Sequence, residues 1–476
     1  MSIAQAISSA MSGLGATSRG TETVAANLAN AMTPGYARRE TVISAQTQGA
    51  AGGVRVDGIA RIVNATLLNE SRIAQSASRE SEVVSAFQVA MEGRVGMPGA
   101  AGALSTTLSD FQTALSSAAS RPDDEIRLTQ LSSAAASLAT RINAAAAEVQ
   151  QARGSAQASI IEDVATLNGA LERVSHLNTR IATLDADGTD ASTLRDERQV
   201  LVDRIAAIVP VQEVARDSGK IALFTTEGAV LLDGNLPARL EIAGNTQITA
   251  GQTVGAGLEL LTFNGKPLDA GQMKLFSGGS LSAHFAIRDE LAPQMQAELD
   301  ALAKDLHDRL LPAGGAAGVF TDLGAVADDG ALVGLAGRLR LNAAADPGQG
   351  GDGDWFRDGF GGGPVGAVGD GTRINTMIDA LKDARGPQGD AGLAGNATLA
   401  SRFATIEARV STRRVDAESD LSIRRSRVET ISGSLLAEGV DSDAEMQKLL
   451  QYEQSYAANA RVLVAIDEML DQILRM

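Results

Sequence analysis

The chain has three histidines, His176, His284 and His307, the side chains best suited to hold a metal or move a proton near neutral pH, and they lie far apart in the sequence. None falls in a His-Glu-x-x-His pattern, the spacing that sets two imidazoles and a general base on one helical face. Asp352-Gly353-Asp354 opens like a calcium loop. Phe356 then stands at the fifth ligand position and no Glu follows at the twelfth, so the oxygen set is incomplete and a solvated loop is the simpler reading. Gly278-Gly279-Ser280-Leu281-Ser282 has the serine of a nucleophile elbow without its closing glycine. Gly361 to Gly366 has the glycines of a phosphate cradle, yet it neither follows a clear strand nor opens a helix. No catalytic, cofactor-binding or metal-ligating set emerges, and no cofactor is implied.

One basic cluster, Arg402, Arg409, Arg413, Arg414, Arg424, Arg425 and Arg427, could meet phosphates. Glu407, Asp416, Glu418, Asp420 and Glu429 are interleaved at helical neighbour spacings, which reads as an ion-paired helix surface or a subunit contact. No aromatic side chains are interleaved to stack on bases. With 58 acidic against 41 basic residues the net charge is −17, which repels nucleic acid and anionic membranes, so neither is an expected partner.

These residues need a scaffold, and 476 residues suffice for two to four domains. Aromatics are only 3% and cysteine is absent, so the core must be built from Ala, Leu, Ile and Val, which favours closely spaced helices. Without cysteine there is no disulfide or thiol chemistry. The start, Met1-Ser2-Ile3-Ala4-Gln5-Ala6, has no basic segment and no apolar run, and no stretch approaches 18 apolar residues. Neither a cleaved signal peptide nor a membrane span is expected.

An extended stretch is expected at Val54 to Ile62, with helices at about 64–95 and 101–119. After Pro122, Asp123 and Asp124 an apolar stripe runs from Leu128 to Leu184 in steps of three or four, a helix of roughly 90 Å if unbroken, with Gly154 the expected bend. Asp187-Gly188 closes it, and a further helix stops at Pro210. From Val211 short β-type runs appear, Ile221 to Thr225, Ala229 to Leu232 and Leu258 to Phe263, separated by Asp-Gly and Asn-Gly turns. They suggest a self-contained β module inserted into a helical body. Helix resumes from Leu281 to Leu311 with Pro293 as an interruption, and residues 313–371, rich in Gly and Asp, read as loop with at most short strands. Helices at about 373–384 and 396–435 return the chain to its last segment.

The two ends carry the strongest pattern. Ile3, Ile7, Ala10, Leu14, Thr17, Thr21, Val24 and Leu28 alternate in steps of four and three, a heptad seam. Met446, Leu449, Tyr456, Ala460, Leu463, Leu470 and Leu474 do the same, while Val462, Ile466, Met469 and Ile473 widen the face beyond what one partner helix covers. Burying so few large side chains offsets only part of the entropy of ordering a 28-residue helix, so the terminal helices are expected to gain order from neighbours. Pro34 and Gly35 end the first of them, and Tyr36 is expected to pack its ring against neighbouring helices.

Asn27-Leu28-Ala29-Asn30-Ala31-Met32-Thr33-Pro34-Gly35-Tyr36 and Gln451-Tyr452-Glu453-Gln454-Ser455-Tyr456-Ala457-Ala458-Asn459-Ala460-Arg461-Val462 resemble the paired terminal signatures of the flagellar axial proteins. Ala37 and Arg38 after Pro-Gly-Tyr make the likeness greatest to the family of hook-associated protein 1, the first hook-filament junction family. Ala31-Met32 departs from the usual Val-Asn. Leu194-Arg195-Asp196-Glu197-Arg198, Gly278 to Leu281 and Arg288-Asp289-Glu290 also look like family segments.

The resemblance implies a mainly α fold with a smaller β domain. Residues 1–42 and 436–476 would form a coiled-coil-like axial tube domain, 43–210 and 281–435 a helical middle domain, and 211–280 an outward β domain. It implies a polymerising subunit rather than an enzyme, exported by the flagellar type III route and left extracellular. The expected partners are copies of itself, the hook protein, the second hook-filament junction protein and an export chaperone. The assembly residues would be Ile3, Ile7, Leu14, Val24, Leu28, Asn30, Pro34, Gly35, Tyr36, Met446, Leu449, Tyr452, Tyr456, Asn459, Ala460, Leu463, Leu470 and Leu474. A hook or rod subunit would share the ends without the long helical middle. An enzyme or adhesin would need its active part in the β insertion.

Overall fold

The structure, a computed structural model, describes residues 3–46, 52–244, 246–312, 315–360, 366–386 and 395–475. The chain opens with α1 (Ile3–Asn30) and an antiparallel hairpin, β1 (Arg39–Ala45) and β2 (Val54–Arg61), before α2 (Ala65–Val95) and α3 (Leu104–Ser120). Strand β1 adds to the extended stretch expected at β2. Next come α4 (Glu125–Ala186) and α5 (Ser192–Ile208). Asp124 caps α4 by accepting from the Ile126 and Arg127 amides at 3.0 and 3.3 Å, and the helix then runs for 62 residues, roughly 90 Å. It continues as one helix through Gly154, the expected bend. Hydrogen there serves a close approach, because a Cβ would collide with the Thr246 carbonyl oxygen.

Two cores lie along α4. The first half, Leu128 to Ala156, packs with apolar residues of α2 and α3, where Phe111 meets the Phe320 ring edge-on at 5.8 Å. The second half, Ile160 to Ile181, packs with α5 and with the sheet of β3 (Val211–Ala215), β4 (Ile221–Thr225), β5 (Val230–Asp233) and β6 (Leu236–Pro237), in that order. The expectation of a self-contained β module therefore fails on packing. Leu223, Leu231 and Leu232 are buried in the same core as Leu167, Leu171 and Val174 of α4. Side chains of α4 also serve as pairing partners for the strands. Asn178 donates to the Ile221 and Gly234 carbonyls at 2.9 and 2.7 Å, and Asn168 exchanges two hydrogen bonds with the Leu240 backbone. Short sheets follow: β10 (Thr262–Phe263) between β7 (Leu240–Glu241) and β11 (Lys266–Pro267), and β8 (Thr253–Val254) with β9 (Gly257–Leu258).

The helix expected over 281–311 is two helices, α6 (Gly279–Ala286) and α7 (Ala292–Arg309), joined by a π-helical turn at Ile287–Leu291. Pro293 has no amide proton to donate and its ring crowds the preceding turn, so a widened turn before it keeps the path helical.

Residues 313–371 hold more structure than their glycine content suggested: β12 (Phe320–Asp322), α8 (Leu335–Arg338), β13 (Leu339–Leu341) and α9 (Asp354–Asp358). Phe320, Leu335, Leu339 and Phe356 are fully buried anchors, too widely spaced to show a period. Asp300 of α7 holds the segment by accepting from the Gly334 and Ala336 amides, each at 2.7 Å. The glycine run Gly361 to Pro364 lies outside the described residues. Then α10 (Thr372–Lys382), α11 (Leu399–Ala437) and α12 (Ser442–Leu474) complete the chain.

The arginine cluster of α11 pairs mainly across helices rather than along its own. Arg402 reaches Asp305, Arg413 reaches Glu298, Arg414 reaches Glu92, and Arg424 and Arg425 reach Glu80 and Glu82. Only Glu418 and Asp420 of the expected carboxylates pair within α11, while Glu407 accepts from the Ser105 amide and hydroxyl. An interhelical seam uses the same charges at the same spacing, and sequence distance does not separate the two.

Candidate assembly interface

Helices α1 and α12 lie against one another. Two glycines of α1 make the approach close. A Cβ at Gly20 would overlap the Tyr452 ring, and one at Gly13 would come within 2.7 Å of the Asn459 amide. The line of α12 facing α1 thus includes Tyr452 and Asn459, with Glu445 and Ile466 fully buried.

At the base of the pair a buried polar node joins four chain segments. Asn27, fully buried, donates to the Glu445 carboxylate and the Arg39 carbonyl, each at 2.9 Å. Its oxygen accepts from the Tyr36 hydroxyl at 2.8 Å and the Arg39 amide at 3.0 Å. All four hydrogen-bonding positions of the amide are used. Glu445, 1% exposed, also faces Lys448 at 3.4 Å and Arg38 at 3.9 Å, which supplies the positive charge a buried carboxylate needs. The Arg39 guanidinium stacks over the Tyr36 ring at 4.9 Å, and burial raises the Tyr36 hydroxyl above its ordinary pKa.

The turn between α1 and β1 sets this geometry. The Thr33 amide donates to the Asn30 carbonyl, Gly35 adopts φ +79°, and a side chain at Gly35 would strike Val200 of α5. From there the node is tied to the helical body. Asp196 of α5 accepts from Arg39 and Arg61, each at 2.7 Å, and Arg61 also meets Gln199. Terminal pair, hairpin and body are thus linked by charge-assisted hydrogen bonds.

Of the expected assembly residues, Val24 is buried. Ile3, Ile7, Leu14, Leu28, Asn30, Gly35, Tyr36, Leu449, Tyr452, Asn459, Ala460, Leu463 and Leu470 are half-buried. Pro34, Met446, Tyr456 and Leu474 are exposed, so the seam facing α1 is rotated from the one drawn through Met446, Tyr456 and Leu474. Sequence reasoning passed over Asn27, Arg39 and Glu445 as site residues. One signal was available: Asn27 sits three residues after Val24, on the apolar side of α1, where a polar side chain needs buried partners.

The other chemical candidates are occupied structurally. Ser280 donates to Asp163 at 2.8 Å and His284 stands 3.9 Å from the same carboxylate oxygen, so the serine proton is directed to the carboxylate rather than to the imidazole. Asp352 caps the Asp354 amide, and Asp354 and Asp358 both engage Arg357. Among the described residues no helix is long and apolar enough to cross a membrane.

Comparison with known proteins gives matches along three stretches of the chain. Residues 7–36 match the flagella basal body rod protein family and residues 431–476 the C-terminal family of the flagellar basal body rod FlgEFG proteins, so both ends are similar to those of rod proteins. Residues 96–310 match the helical domain of the flagellar hook-associated protein FlgK. Its helical body is thus similar to that of the FlgK family. It is 27% identical over 307 residues to flagellar hook-associated protein 1 of Salmonella typhimurium, covering 59% of this chain and 55% of that one. The protein of the same name from Escherichia coli K12 is 26% identical over 242 residues, and that of Bacillus subtilis is 22% identical over 497, covering 95% of this chain and 94% of that one. The chain spans about half the length of the Salmonella and Escherichia relatives it matches. The solved FlgK of Burkholderia pseudomallei, at 22% identity, aligns with a TM-score of 0.44 over 53% of this chain and 46% of that one.

Proposed function

We propose that this chain is a structural subunit of the bacterial flagellum that polymerises at the distal end of the hook and is required for filament assembly. In this reading residues 1–42 and 436–476 form the axial tube domain, 43–210 and 281–435 the helical middle domain, and 211–280 the outward β region. Copies of the chain, the hook protein and a second hook-filament junction protein are its neighbours. A chaperone and the flagellar type III route carry it out of the cell.

One observation carries the reading. Helix α12 buries Ile466 yet leaves Met446, Leu450, Tyr456, Val462, Val464, Met469, Ile473 and Leu474 between 45% and 82% exposed. So many large apolar side chains along one helix call for partners outside the chain. The node at Asn27 fixes the direction in which that helix leaves the body, which is what a repeating assembly requires of each subunit. Electron microscopy of cells lacking the protein tests this: hooks without filaments are expected, with filament subunits shed into the medium. Normal filaments contradict it.

A further inference from the structure

A cleft of about 200 Å³ lies beside the joint just described, between the end of β2, the start of α2, α5 and β3. Four arginines line it: Arg61, Arg72, Arg195 and Arg198. Such a concentration is unexpected in a chain of net charge −17. Three have carboxylates. Arg61 shares Asp196 with Arg39, Arg195 holds both oxygens of Asp185 at 2.8 and 2.6 Å, and Arg72 reaches Asp203 and Glu213 at 2.7 and 2.8 Å.

Arg198 has none. It is 8% exposed and donates, through one nitrogen, to the Asn178 side-chain oxygen and the Gly219 carbonyl, each at 2.8 Å and both neutral. Burial pushes its pKa down to about 10, and Arg195 and Arg61 push the same way against the more distant charges of Glu213 and Asp185. Arg72 adds a second unmet demand. Its side chain is 2% exposed, and its Nη2 is shielded from solvent with no acceptor. Arg153 makes the contrast. It too is buried without a carboxylate partner, but each guanidinium nitrogen reaches a backbone carbonyl, of Arg288, Thr249 or Gln252, at 3.0, 3.1 and 2.5 Å. A buried cation that the fold intends to keep to itself is served in that way. In the cleft, five guanidinium groups counting Arg39 meet four carboxylates, and donors remain open.

We propose that this cleft binds a small oxyanion of the phosphate class, held by the unserved donors of Arg198 with the buried charge of Arg72 behind them. A tetrahedral anion accepts forked guanidinium hydrogen bonds and neutralises the one buried arginine here that lacks a counter-charge. Bound there, it would tie α2 to α5 next to Asp196 and so stiffen the joint between body and terminal pair. The assignment stands apart from the flagellar reading, since it rests on this cleft alone.

Titration of the full chain with inorganic phosphate tests it, by calorimetry and by thermal melting, against sodium chloride of equal ionic strength. One phosphate per chain and a saturable rise in melting temperature are expected. Arg198→Gln should weaken binding about tenfold or more, the effect of losing charge-assisted hydrogen bonds. Arg173→Gln, whose parent side chain is exposed and pairs with Glu197, should leave affinity unchanged. Should Arg198→Gln fail to fold, Arg195→Gln frees the Asp185 charge at the cleft rim and should weaken binding likewise. No saturable effect of phosphate on the parent chain, or equal affinity in the cleft variants and Arg173→Gln, would overturn the proposal.

Discussion

Helices α4 and α12 carry the same arithmetic, apolar residues every three or four positions, and put it to opposite uses. Along α4 the stripe from Leu128 to Ile181 is almost wholly inside, shared between two cores. Along α12 only Glu445 and Ile466 are buried among 33 residues, and much of the apolar width faces outward. Periodicity therefore reports that a helix has a partner and is silent on whether that partner lies in the same chain. The glycines separate the cases. Gly154 of α4 approaches the chain's own backbone at Thr246, whereas Gly13 and Gly20 bring α1 onto one side of α12 and leave its other side free.

The largest expected effect tests the body. Excising Val211 to Gly279 would strip the cover from Val164, Leu171, Val174 and Ile205, each buried at about 1.5 to 3 kcal/mol. That loss rivals the whole stability of a typical domain, so the cooperative thermal transition of the body should disappear. A shortened chain that melts cooperatively near the parent temperature would show the β region to be separable after all.

A smaller effect is expected at the node. Asn27→Ala removes four hydrogen bonds, one of them to the buried Glu445 carboxylate, about 3 kcal/mol against docking of the terminal pair. Hydrogen exchange should quicken in residues 3–30 and 442–474 and stay unchanged in α4, because none of the four bonds reaches that helix. Unchanged exchange at both ends would mean that the node does not hold the pair, and quickening throughout would erase the distinction between the two regions.

What was legible in the sequence follows the same division. Helix boundaries with local causes could be read from the residues themselves: Asp124 capping α4, Asp187-Gly188 closing it, Pro34-Gly35 stopping α1. The terminal signatures pointed to an axial protein because both ends had to match at once. Contacts that depend on distant residues could not be read. Asn178 and Asn168 pairing with strands, Asp300 holding Gly334 and Ala336, and Arg413 reaching Glu298 rather than a helical neighbour join positions 34 to 115 residues apart. The rotation of the α12 seam was hidden for a related reason. Glu445 is charged and would be placed outside by any pattern of apolar residues, until the partners Asn27, Arg38 and Lys448 are known.

The smallest effect on the isolated chain bears most directly on the claim that α12 turns its free face to neighbouring subunits. Met469 is 48% exposed on α12, so Met469→Asp should cost the monomer less than about 0.5 kcal/mol and leave its melting temperature in place. Leu463, already half-buried, is a poorer probe, since a charge there strikes inside and outside together. In an assembled flagellum the new carboxylate would lose water without a partner, at several kcal/mol per subunit. The measurement is paired: thermal melting of the purified variant, and immunodetection of it on isolated hook-basal bodies. A folded variant that is absent from the hooks is the expected result, and a variant that incorporates as well as the parent chain would contradict the placement of α12 against its neighbours.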